Sequence, residues 1–103
     1  MNATLEQVRE ALQKDDLPYV NDAITQYMAA AKSTLYIQIG YRTDKVIAEA
    51  DEREFETLSN LYIVEFVRSF LDGINNKVTL DSLITQLYPL YNHGRQVNDG
   101  NGS

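Results

Sequence analysis

Between Glu52 and Leu71, apolar side chains occupy nearly the whole circumference of what their spacing makes a helix. At about 100° per residue, Phe55, Leu58, Tyr62, Phe66 and Phe70 form one stripe, while Leu61, Val64, Val67 and Leu71 spread over much of the remainder. From Leu61 to Leu71, Glu65, Arg68 and Ser69 alone keep a polar edge. Such a helix has to be covered on more than one side, which excludes an isolated surface helix and demands either a bundle or a partner. A chain of 103 residues builds one thin core, because at this size only about 60 to 68% of the unfolded surface becomes buried. Two coverings are therefore open. The helix is the central element of a small bundle, or one of its faces meets a neighbouring copy or another partner.

The rest of the chain is punctuated for helices. Thr4-Leu5-Glu6-Gln7 has the form of a reciprocal N-terminal cap, with Leu5, Val8, Ala11 and Leu12 on one stripe, which predicts a first helix from Leu5 to about Leu12. Asp15-Asp16-Leu17-Pro18 marks a second entry, since proline fits a first turn and disfavours a helical residue before it. Val20, Ile24, Tyr27, Met28, Ala31, Leu35 and Ile39 then keep helical spacing up to Gly40, which predicts a long helix from Pro18 to Ile39. Tyr41 to Ala50 is polar and reads as a connecting loop with room for one helical turn. Asp51 and Glu54 suggest a second reciprocal cap, opening a helix from Glu52 to Leu71 that Asp72-Gly73 closes. Thr79 is the expected cap of a last helix from Leu80 to Tyr88, with Val78 and Leu83 as its hydrophobic staple and Pro89 as its stop. The expected fold is all-α, a small bundle of four helices with a long second and third helix. It occupies residues 1–91, and the Gly- and Asn-rich segment 92–103 forms a flexible C-terminal tail.

Charge and composition narrow the function. Fifteen acidic against nine basic residues give a net charge of -6, which repels phosphates, and no helix carries a basic face, so nucleic-acid binding is disfavoured. There is no cysteine, and neither a leader-like start nor an apolar run of membrane-spanning length, so the expectation is an intracellular protein or one assembled from an intracellular pool. The single histidine, His93, lies in the polar tail without a fixed partner and reads as inert rather than as a base or ligand. Glu49, Asp51, Glu52, Glu54 and Glu56 suit a solvated helix start and lack the glycine turn of a calcium loop. No phosphate loop, nucleophile elbow or zinc-binding helix motif is present. The chain reads as a non-enzyme with no cofactor and no metal.

Interface residues are the remaining candidates. Val64, Val67 and Leu71 lie away from the Phe55, Leu58, Tyr62, Phe66 stripe assigned to the internal core, and so form the expected subunit or partner surface. Of the seven tyrosines, Tyr27 and Tyr62 fall on core stripes, whereas Tyr36, Tyr41, Tyr88 and Tyr91 stand at helix ends, where a ring that is apolar in the body and wet at the tip suits an interface. Tyr88 and Tyr91 complete the expected surface.

The short capped helix with Thr4-Leu5-Glu6-Gln7-Val8, the Lys14-Asp15-Asp16-Leu17 entry, and the long helix carrying Ala29-Ala30-Ala31-Lys32 and ending in Ile39-Gly40 come in a familiar order. With the polar insertion after Gly40, the long third helix and Leu83-Ile84-Thr85-Gln86-Leu87, the arrangement from about Leu5 to Leu90 resembles the small helical head-tail connector family of tailed bacteriophages, also called adaptor or head-completion proteins. The resemblance implies a virion part, assembled in the host cytoplasm, that forms a ring of about twelve subunits under the portal protein. It also implies that the ring extends the DNA channel without sequence-specific binding and docks a neck or tail completion protein, with no membrane involved. The alternative reading is a small cytoplasmic helical adaptor or regulator that binds one protein partner through the same surface.

Overall fold

The computed structural model describes residues 2–40, 45–92 and 95–96. The fold is all-α, with α1 at Leu5–Ala11, α2 at Pro18–Ile39, α3 at Glu52–Leu71 and α4 at Lys77–Asn92. A short 3-10 turn, Glu49–Asp51, leads into α3. Beside the helices, Lys45–Val46 pairs antiparallel with Arg95–Gln96.

Local chemistry explains most helix ends. The Gln7 N–H donates to Thr4 Oγ1 at 3.2 Å and the Thr4 N–H donates to Gln7 Oε1 at 3.0 Å, the reciprocal cap expected for α1. After α1, Gln13 adopts φ 56°, with its N–H on the Glu10 carbonyl at 3.0 Å and the Lys14 N–H on the Arg9 carbonyl at 3.1 Å. This is a Schellman turn with glutamine at the left-handed position that glycine usually fills. Pro18 opens α2, and Gly40 ends it at φ 70°.

Three predicted ends differ. Asp51 makes no side-chain cap, because the 3-10 turn already bends the chain into α3 and the Asp51 N–H donates to the Ala48 carbonyl at 2.8 Å. α4 begins near Asn76, whose carbonyl accepts from the Leu80 N–H at 3.0 Å, so Thr79 lies inside the helix rather than capping it. Val78 is 84% exposed and staples nothing. α4 also runs through Pro89 to Asn92. The proline removes the N–H that would reach the Thr85 carbonyl, but this happens in the last turn at solvent-exposed residues. Tyr91, two residues further, is buried, so packing outweighs the lost bond.

α2 and α3 form the spine, and their interior is divided into two clusters. At one end Val8 and Leu12 of the α1 region pack with Ile24, Met28 and Ala31 of α2 and Ile63 and Val67 of α3. At the other, Leu83, Leu87 and Tyr91 of α4 pack with Leu35, Ile39, Phe55 and Tyr62. Phe66 packs against both. Thus α1 covers the half of the spine built from the start of α2 and the end of α3, while α4 covers the half built from the end of α2 and the start of α3.

The expected tail falls largely outside the described residues. Asn92 closes α4 and Arg95–Gln96 form the short pairing, whereas 93–94, including His93, and 97–103 are not described. Tyr41 to Asp44 of the expected loop lie outside as well.

Candidate functional site

Between α2, α3 and the first turns of α4 the spine is left open as a groove of about 420 Å³. Its floor is α3: Tyr62, Phe66 and Phe70 recur every four residues and so face one way. Their rings run in series, Tyr62 to Phe66 at 6.1 Å and Phe66 to Phe70 at 5.1 Å, and Phe70 stacks on Tyr27 of α2 at 5.0 Å and 13°. Leu80 and Ile84 form the α4 wall, Thr34 and Gln38 the α2 edge, and Ile74 closes the end after α3. Phe70 is 56% exposed and Ile74 45% exposed, a concentration of apolar surface that the chain itself leaves uncovered.

Polar groups hold the mouth in shape. Asn76 fixes the turn into α4: its Nδ2 donates to the Glu65 carbonyl at 2.8 Å and to Glu65 Oε2 at 3.1 Å, and its buried Oδ1 has no hydrogen-bond partner among the described residues. On the α4 rim Lys77 Nζ donates to Asp81 Oδ2 at 2.6 Å, one turn apart and exposed, which raises the Lys77 pKa above its ordinary value. Burial, and then the charge of Asp81, push the Tyr62 phenol above its ordinary value. Of the titratable groups on the groove, Asp81 is thus tied to Lys77 and Tyr62 keeps its proton. The surface is suited to burying apolar side chains of a partner under a neutral polar rim.

The sequence-predicted interface residues are distributed differently. Val67 is fully buried within the α1-covered cluster, and its assignment to a face away from the internal core is corrected: α1 lies over that side of α3. Tyr91 is likewise buried in the α4-covered cluster and is not surface for a partner. Val64 and Leu71 are half-buried against the first cluster. Tyr88 is 50% exposed and continues the line of Asp81 and Ile84 along α4, beyond the groove. Phe70, Ile74, Leu80 and Ile84, which make the groove, were not singled out by the sequence as interface. Phe70 sits at the far end of the internal stripe, and only the length and entry of α4 decide that its cover stops short.

Among the described residues no group of three or more His, Cys, Asp or Glu is placed to hold a metal ion, and no helix is long and apolar enough to cross a membrane. Comparison of the chain with protein-family models, curated proteins and solved structures finds no match.

Proposed function

We propose that the chain is a structural assembly protein, a bacteriophage head-tail connector whose subunits form a ring under the portal protein and present a docking surface to the next neck or tail component. The observation that carries this reading is the open aromatic groove around Phe66, Phe70 and Ile74, an apolar surface left bare on a small acidic protomer. Element order and length from Leu5 to Leu90, through which the chain resembles connector proteins, supply the particular assembly. In a closed ring each copy uses two different patches, so the groove of one subunit is filled by another surface of its neighbour without a two-fold axis. DNA passes through the channel of this ring, and the net charge of -6 disfavours its sticking there.

The test is electron microscopy and light scattering of the purified chain, alone and mixed with portal protein, beside a Phe70→Glu variant. Rings from the natural sequence, and folded monomers from Phe70→Glu, are expected, because a carboxylate in the occupied groove would be buried without a partner. A natural chain that remains monomeric with every portal and neck component, or rings formed equally well by Phe70→Glu, would overturn the reading. Monomers that bind one cytoplasmic protein through the groove would instead make the chain a helical adaptor.

A further inference from the structure

We draw no further inference here: the strongest candidate, the apolar groove between α2, α3 and the start of α4, is the surface already given to assembly, and nothing in the structure shows what covers it.

Discussion

Val67 and Phe70 stand three residues apart on α3, yet Val67 is fully buried in the cluster beneath α1 while Phe70 keeps 56% of its surface exposed in the groove. Both are apolar and both sit in the same turn of one helix. What separates them is cover supplied from far away in sequence. Val8 and Leu12 reach over the Val67 side, whereas α4 packs chiefly on the other half of the spine and leaves Phe70 half-exposed beside Tyr27 of α2, on which it stacks. An apolar circumference therefore states how much cover a helix needs, while the lengths and entry points of its neighbours state where that cover ends.

The sharpest way to break this contrast is Val67→Glu. An unpaired carboxylate at a fully buried site costs more than about 4 kcal/mol, comparable with the whole stability of a small domain. The isolated protomer is expected to lose its helical circular dichroism at ambient temperature. A folded Val67→Glu monomer would mean that α1 does not cover this side of α3. Next in size is Leu87→Ala in the α4-covered cluster, where Leu87 is fully buried; removing its side chain is expected to destabilise by about 3 kcal/mol. Denaturant melts of the two variants compare the clusters, and a Leu87→Ala loss below about 1 kcal/mol would show that α4 is only loosely docked.

How much of this was legible beforehand follows the same division. Helix spans with a local cause were readable: Thr4 and Gln7 cap α1, Pro18 opens α2 and Gly40 ends it, as their sequence neighbours imply. Ends governed by tertiary packing were not. Pro89 is a stop signal, but Tyr91 is worth burying and α4 continues to it. Thr79 has the chemistry of a cap, but Asn76, held by Glu65 of α3, fixes the turn earlier. The groove was the least legible part, because Phe66 and Phe70 share one stripe and differ only in what lies over them. The same blindness placed Val67 and Tyr91 on an outer surface.

On the open side the expected effect on the protomer is smaller. Phe70→Ser removes a half-exposed ring and its stack on Tyr27, a loss of about 1 kcal/mol, and thermal melts should show a modestly destabilised but intact fold. Under the proposed ring assembly, the same variant should abolish the self-association that light scattering would read. A collapse as severe as that of Val67→Glu would show that Phe70 belongs to the core and that the groove is not a free surface.

The covered side depends on how α1 is held, and its exit turn carries a removable strain. Gln13 stands at φ 56°, where a side chain costs about 1 kcal/mol that glycine avoids. Gln13→Gly is expected to stabilise by about 0.5 kcal/mol after the greater freedom of unfolded glycine is counted. A small rise in Tm would support the Schellman turn, and a fall would show that the turn is not populated in solution.

The smallest effect tests the polar edge of that same covered side, where the start of the chain crosses α3. The Asn2 N–H donates to the Glu56 carboxylate, and the Ala3 N–H donates to Asn60 Oδ1 at 3.1 Å. Partial burial works to raise the Glu56 pKa, but hydrogen bonds, those from the Asn2 N–H and from Asn60 among them, outweigh it and leave the group below its ordinary value of 4.5. A carboxylate with a depressed folded pKa contributes stability above its unfolded pKa and loses it as the pH falls through the folded one. Glu56→Gln keeps an acceptor for Asn2 but not the charge, and the site is largely solvated, so only a slight Tm deficit is expected at neutral pH. That deficit should shrink as the pH drops below 4.5 and vanish once Glu56 is protonated in both states. Parallel thermal melts across this range decide the matter. A deficit that persists unchanged in acid would assign the contribution of Glu56 to packing and not to its charge.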